Sequence, residues 1–357
     1  MTPDKPDSPA RKSKHDDTVH QRLLTFGPSL LLLVLVATTA AAVHQFASPV
    51  GGLQLPLAPK GDGDPRIRMG GTAYPRKATD SDEVTITTAR PTHRIISQYW
   101  SIDEYVYTVV PPQDVLAVSE SAYVKDISNV TAQIERFHPT VATDPERVLA
   151  LDPDLMIVSS NGRADYTSLA RSSGVPVYRM QTMFTTLDQV EQNIRLVGYI
   201  TGQDESAERE AVRFHDAIEK AAALRTANEP KPRILGLGGH YSYGTETLFQ
   251  DIVTRLGGIN VGAENGLVGY VSVNFEQIIR WDPEWIIAGA STGQTKQMLA
   301  KLMADPAIAL TQAAKNGHIV VIENRVFLPM SPFTSVFVQA IASAVYGPPP
   351  ESAEVKP

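Results

Sequence analysis

The segment Glu146-Arg147-Val148-Leu149-Ala150-Leu151-Asp152-Pro153-Asp154-Leu155-Met156-Ile157-Val158 returns later in the chain as Glu276-Gln277-Ile278-Ile279-Arg280-Trp281-Asp282-Pro283-Glu284-Trp285-Ile286-Ile287-Ala288. Each copy reads as a glutamate, a short apolar helix, an Asp-Pro-acid turn and a buried strand. One such unit is ordinary in any α/β protein. Two units matched at the glutamate and at the Asp-Pro imply two similar lobes in one chain, and paired α/β lobes trap ligands between them.

The rest of the chain fits that plan. Its 357 residues are enough for two domains with their own cores. A net charge of −7 leaves no excess of Lys or Arg to neutralise phosphates, which argues against nucleic acid as a partner. The absence of cysteine removes disulfides, thiolate nucleophiles, Cys-ligated zinc and a lipid-modified cysteine anchor. Arg11, Lys12, Lys14 and Arg22 precede an uncharged run over residues 23–43, long enough for a bilayer by the roughly 20-residue rule. Basic residues before the run and none just after it place the N-terminus inside and the body outside. Ala40-Ala41-Ala42 would also serve as a signal-cleavage site. Anchor or cleaved signal, the reading is export to the periplasm.

Residues 1–47 are therefore read as a cytoplasmic stub with the signal or anchor, and the Pro- and Gly-rich residues 48–82 as a tether. An N-terminal lobe is expected over 83–184, beginning with an edge strand at Glu83–Thr87 and a buried strand at Arg94–Ser97. Connecting helices follow over 185–229. Within them Asp204–Thr226 reads as one uninterrupted helix, with Ala207, Ala211, Phe214, Ile218 and Ala221 on its apolar face. A C-terminal lobe spans 230–347 and a solvated tail 348–357. Strands alternating with helices predict an α/β fold of two Rossmann-like lobes with parallel sheets.

Each repeat glutamate should occupy the same place on its helix. Asp144 caps, Pro145 is N1 and Glu146 N2; Asn274 caps and Glu276 is again N2. Both helices precede their strands, so their N-termini fall at the carboxyl edge of a sheet, where open α/β sheets place their ligand crevice. Acids there also complement the helix dipole by about 0.3–1 kcal/mol, but the matched pair points to recognition of a basic partner. Loops after the strands offer Gln98, Tyr99 and Trp100, Glu120 and Tyr123, Phe137 and His138, and Asn161 and Arg163 in the first lobe. In the second they offer His240, Tyr241 and Tyr243, then Tyr270 and Arg325. Aromatic faces with a few convergent polar groups suit a bulky, partly flat ligand. Arg163 could balance an anionic one, and His138 and His240 could meet as axial ligands to haem, although no spacing requires it. Gly236-Leu237-Gly238-Gly239 lacks dinucleotide spacing, and Tyr-rich sequence follows where a helix should start. There is no Walker loop, no Gly-x-Ser-x-Gly and no His-Glu-x-x-His, and the eight histidines lack metal-ligand spacing. No catalysis and no intrinsic cofactor are expected.

From about residue 83 to 347 the chain resembles the periplasmic substrate-binding proteins of iron-complex and vitamin B12 ABC transporters. The resemblance rests on Arg94-Ile95-Ile96-Ser97 after an edge strand, on the stretch from Glu146 to Leu155, on Leu256-Gly257-Gly258-Ile259-Asn260-Val261, and on Glu276 opening the second repeat. It implies lobes joined by one long rigid helix, here Asp204–Thr226, and a metal-chelate ligand: a ferric siderophore, haem or cobalamin. It also implies ABC permease subunits whose arginines meet Glu146 and Glu276. Gln98-Tyr99-Trp100 is more aromatic than the family's usual loop, and Phe327–Phe333 lacks an Arg often found there; both departures fall in ligand loops. The competing expectation is a membrane-anchored enzyme, metallochaperone or ligand sensor on the same fold.

Overall fold

Short apolar runs of four or five residues have no polar face to offer water, so they must be covered on both sides. The computed structural model, which describes residues 68–134, 140–141, 144–226 and 228–347, shows how. In the N-terminal lobe, strands β4 (Ile95–Ser97), β5 (Val115–Ser119), β6 (Thr140–Val141), β7 (Leu155–Ser159) and β8 (Val177–Met180) form a parallel sheet in the order β6-β5-β4-β7-β8. In the C-terminal lobe, β9 (Arg233–Leu237), β11 (Ile259–Asn260), β13 (Trp285–Ala290) and β14 (Ile319–Glu323) form a second parallel sheet, ordered β11-β9-β13-β14. Alternate residues serve opposite faces. Ile95, Leu155 and Ile157 belong to the main core, while Ile96, Met156 and Val158 face an outer cluster. In the second sheet Ile234 and Ile287 face the main core, and Leu235, Ile286 and Ala288 an outer one.

The duplication is carried down to single hydrogen bonds. Helix α2 (Pro145–Leu149) is capped by Asp144, whose side chain accepts from the Glu146 N–H. Helix α7 (Phe275–Trp281) is capped by Asn274 in a reciprocal pair with Gln277. After each helix the Asp of Asp-Pro takes a left-handed conformation, φ 52° at Asp152 and 43° at Asp282. The acid that follows, Asp154 or Glu284, then accepts the backbone N–H of Arg94 or Arg233 at the start of the neighbouring strand. Each of those arginines reaches back to the helix end. Arg94 donates to the Leu151 and Asp152 carbonyls, and Arg233 to those of Trp281 and Asp282. The clasp fixes the register of β4 beside β7 and of β9 beside β13. Arg233 is half-buried and also pairs with Glu264 at 2.6 Å, so Arg233→Ala is expected to cost about 2–3 kcal/mol. The exposed Arg94→Ala should cost less; urea unfolding of the two variants measures both.

Between the sheets lie α1 (Trp100–Val109), a hairpin of α4 (Leu187–Thr201) and α5 (Asp204–Ala222), α6 (Leu248–Arg255) and the closing helix α9 (Thr334–Tyr346). Their apolar faces and the inner faces of both sheets form one continuous core. All five residues read onto the inner face of α5 are buried there. This hairpin falls within the connecting helices read over 185–229; α5 stops at Ala222, not Thr226, and α4 lies along it. Gly202 turns the hairpin with φ 82°, and Gly198 lets the helices touch, since a Cβ there would fall 2.2 Å from that of Ala207.

Two expectations change at the N-terminal side. Glu83–Thr87 does not join the parallel sheet. Its residues from Thr85 belong to β3 (Thr85–Thr88), the edge of a separate antiparallel sheet with β1 (Arg68–Met69) and β2 (Arg76–Thr79). Part of the stretch read as tether is therefore folded. The cause is non-local: buried Arg76 pairs with Asp204 at 2.8 Å and donates to the Tyr199 carbonyl, while buried Asp80 takes the Arg171 guanidinium. The run 23–43 lies outside the described residues, and among those described no helix is long and apolar enough to cross a membrane.

Candidate functional site between the carboxyl edges of the two sheets

In both sheets the chain leaves the first strand to one side and comes back on the other. The strand order therefore reverses between β4 and β7, and between β9 and β13. Open α/β sheets bind ligands at the carboxyl ends beside such a reversal. The loops there are Gln98–Tyr99 and Ser160–Arg163 in one lobe, and Gly238–His240 and Ser291–Gln294 in the other.

These two edges meet. The Thr292 N–H donates to Asp126 Oδ1 at 2.8 Å and its hydroxyl to the Lys125 carbonyl at 3.1 Å. Asn129 Nδ2 donates to the Arg325 carbonyl at 2.7 Å, and Arg325 Nη1 returns a bond to Asn129 Oδ1 at 3.3 Å. Arg325 is further oriented by Glu323 at 2.9 Å. Beneath them Glu104 of α1 accepts from the Asn129 N–H at 2.6 Å and Nδ2 at 3.0 Å on one oxygen, and from the Ser331 hydroxyl of the other lobe on the second. A surface concavity of about 290 Å³ lies elsewhere, beside β3 and β8.

The sequence candidates divide. Tyr99, the residue capping α1, and Trp100, its first residue, are half-buried with rings 5.8 Å apart. Tyr123 is half-buried against the main core. His240 is exposed beside half-buried Tyr241, ring centroids 4.3 Å apart. Arg325 stands on the seam. Asn161 is exposed, with its amide 3.4 Å from Thr182. Arg163 is exposed and already engaged by Asp165 through two nitrogens. Phe137 and His138 lie outside the described residues.

Tyr243 belongs instead to the core. After β9 the chain doubles back as β10 (Tyr241–Tyr243), paired with β12 (Tyr270–Ser272), in place of the helix a dinucleotide motif would start. Tyr243 is buried among Phe249, Tyr270 and Phe327. A Cβ at Gly236 would meet its ring at 2.7 Å, and one at Gly238 its hydroxyl at 2.3 Å. The two glycines make room for this side chain. Burial raises the Tyr243 hydroxyl, and likewise that of Tyr270, far above the ordinary tyrosine range, so both stay neutral. Tyr270 is half-buried, its hydroxyl enclosed.

The seam residues Glu104, Asp126, Asn129, Thr292 and Ser331, and the buried Asp103 next to Glu104, were not singled out from the sequence. One signal was available: Asp103-Glu104 sits inside the apolar run from Ile102 to Val106, where helical spacing has no room for two surface acids. Asp103 is fully buried and gathers the hydroxyls of Ser97 and Ser119, at the carboxyl ends of β4 and β5. Burial pushes its carboxyl up to about 7 against the hydrogen bonds that favour the anion, and burial does the same for Glu104, also about 7. Between the ordinary carboxylate range and about 7 the folded protein holds protons that the unfolded chain has released. Unfolding free energy attributable to these groups thus falls as pH rises through that window and levels off above it. Asp103→Asn is expected to flatten the fall, as read from urea midpoints at pH values on either side of the window.

A family model described as "Periplasmic binding protein" matches residues 95–326. The chain belongs to that family. It is accordingly a binding protein and not an enzyme. It is 23% identical over 320 residues to a cobalamin-binding protein of Halobacterium salinarum, covering 86% of this chain and 83% of that one. It is 26% identical over 207 residues to a vitamin B12-binding protein of Vibrio cholerae, covering 55% of this chain and 70% of the relative. The solved structure of the periplasmic heme-binding protein RhuT from Roseiflexus sp. RS-1 shares the fold, with a TM-score of 0.60 at 23% identity, over 71% of this chain and 98% of that one. The family thus accounts for the two parallel sheets.

Proposed function

We propose that this chain captures a bulky metal chelate (a ferric siderophore, haem or a corrinoid) between its lobes and hands it to the permease subunits of an ABC importer. The observation that carries the reading is the meeting of the two carboxyl edges, with Tyr99, Trp100, Tyr123, His240, Tyr241 and Arg325 on the loops around them. Aromatic faces beside a few polar groups fit a large, flat, partly apolar molecule, and the cobalamin- and heme-binding relatives favour the same class. Glu146 and Glu276, exposed on the first turns of α2 and α7, are the proposed contacts to the permease. Export through residues 23–43 would place the lobes in the periplasm, with or without retention on the membrane. On this reading Asn161 and Arg163 belong to the rim, and Arg163 would meet an anionic ligand only by releasing Asp165.

The test is titration of the purified chain with haemin, cyanocobalamin and a ferric hydroxamate, followed by absorbance and intrinsic fluorescence. One of the three is expected to bind at 1:1 stoichiometry, quenching emission, with the quenching reduced in Trp100→Phe. Binding of none of them overturns the ligand class. Chemical change of the bound molecule would instead favour an enzyme or metallochaperone on this fold.

A further inference from the structure

Glu104 is wholly buried, yet its two carboxylate oxygens face different lobes. One takes both donors of Asn129, and the other takes Ser331 from the loop after β14. Asn129 in turn holds both ends of Arg325, through the carbonyl and the guanidinium. One side chain thus gathers the N-terminal loop that follows Tyr123 and two points on the C-terminal loop carrying Arg325. We propose that Glu104 is the positioning residue that sets how the lobes meet, and that loss of its proton releases the seam.

The geometry supplies the reason. The Asn129 donors favour the Glu104 anion, whereas the Ser331 hydroxyl can accept from a protonated carboxyl as readily as donate to an ionised one. Among the described residues no ion pair includes Glu104, and Arg325 reaches it only through the Asn129 amide while pairing with Glu323. On its own helix Glu104 is flanked by Asp103, a second buried carboxyl, and by Tyr105. At the edge of the seam Lys125 and Asp126 engage Thr292. On the connecting hairpin, Glu210 is paired with Arg213 at 2.7 Å. Two adjacent carboxyls in a dry site with no cation cannot both ionise cheaply. Opening the seam admits water to Glu104 and favours its anion, so opening and proton release are linked and a rise in pH favours the open form. Asp103 does not share this role, because its partners Ser97 and Ser119 are both in the N-terminal lobe. The inference does not depend on which ligand the cleft takes.

The chain has no cysteine, so Ser168→Cys on the exposed face of α3 (Ala164–Ser172) and Lys296→Cys on α8 (Thr295–Ala304) would carry the only spin labels. Pulsed electron paramagnetic resonance on the full chain in detergent micelles then reads the distance between lobes. A longer-distance population is expected to grow about threefold or more from pH 5.5 to about 8.5. It should be small and independent of pH in Glu104→Gln, and raised at both pH values in Ser331→Ala, which keeps the acid but removes its C-terminal donor. Asp103→Asn should retain the response. A pH response surviving in Glu104→Gln, or none in the parent, overturns the proposal. Should Glu104→Gln fail to fold, an unchanged distance in both Ser331→Ala and Asn129→Ala overturns it equally.

Discussion

Replacing Glu146 and Glu276 together by lysine is expected to abolish uptake of the ligand by cells while leaving its affinity for the purified protein within about twofold. The two carboxylates stand at equivalent places, one residue inside the caps formed by Asp144 and Asn274, and both are exposed. Among the described residues neither is held in an ion pair, although Arg280 lies one turn along from Glu276. Each therefore remains available to a partner. Close charge pairs across an interface couple by about 1.5–7 kcal/mol, against about 0–1 kcal/mol for an exposed pair within one protein. If the proposed docking holds, reversing both would turn attraction into repulsion at each contact. The cost to the fold is limited to the lost helix-end interaction, about 0.3–1 kcal/mol per site. Each single reversal should leave intermediate transport. Normal uptake by the double variant would remove the docking role and leave capture untouched.

The largest loss of stability is expected at Gly198. Glycine inside a helix costs roughly 1 kcal/mol relative to alanine, so its presence in the last turn of α4 needs a reason, and the reason is Ala207 across the hairpin. Gly198→Leu should cost more than about 3 kcal/mol by overpacking a contact with no slack. Gly198→Ala is the sharper measurement. If the contact were loose it would gain the helix propensity; with Cβ atoms 2.2 Å apart on the present backbones it should lose stability instead. Adding Ala207→Gly should restore a good part of the loss, although that substitution alone destabilises, giving a coupling of about 1 kcal/mol or more in a double-mutant cycle. Additive effects in that cycle would mean that the helices do not touch where they are placed.

Most of the architecture was legible because it follows local rules. The repeat fixed two lobes, the caps at Asp144 and Asn274 were readable from residue type, and the inner face of α5 followed from helical spacing. The first sheet was not legible. Arg76 and Asp80 are buried by partners more than 90 positions away, and a local pattern of Gly, Pro and charge reads as linker. Nor was the burial of Tyr243 legible. Its position just after a strand suggested the cleft, but the hairpin that follows and the room left by Gly236 and Gly238 turn it inward. The aromatic loop of Tyr99 and Trp100 and the exposed His240 were proposed from residue type and their place after a strand. The polar seam was not, because Asn129, Thr292 and Ser331 acquire meaning only when the lobes are brought together.

The closing helix α9 does not cover the outer side of its own sheet. It lies along α5, with Phe337, Val338, Ile341 and Ala342 in the core common to both halves. The last described residues therefore act as a splint on the middle of the chain. A truncation ahead of Thr334, or a reporter spliced in there, would unseat the N-terminal half as surely as the half it belongs to.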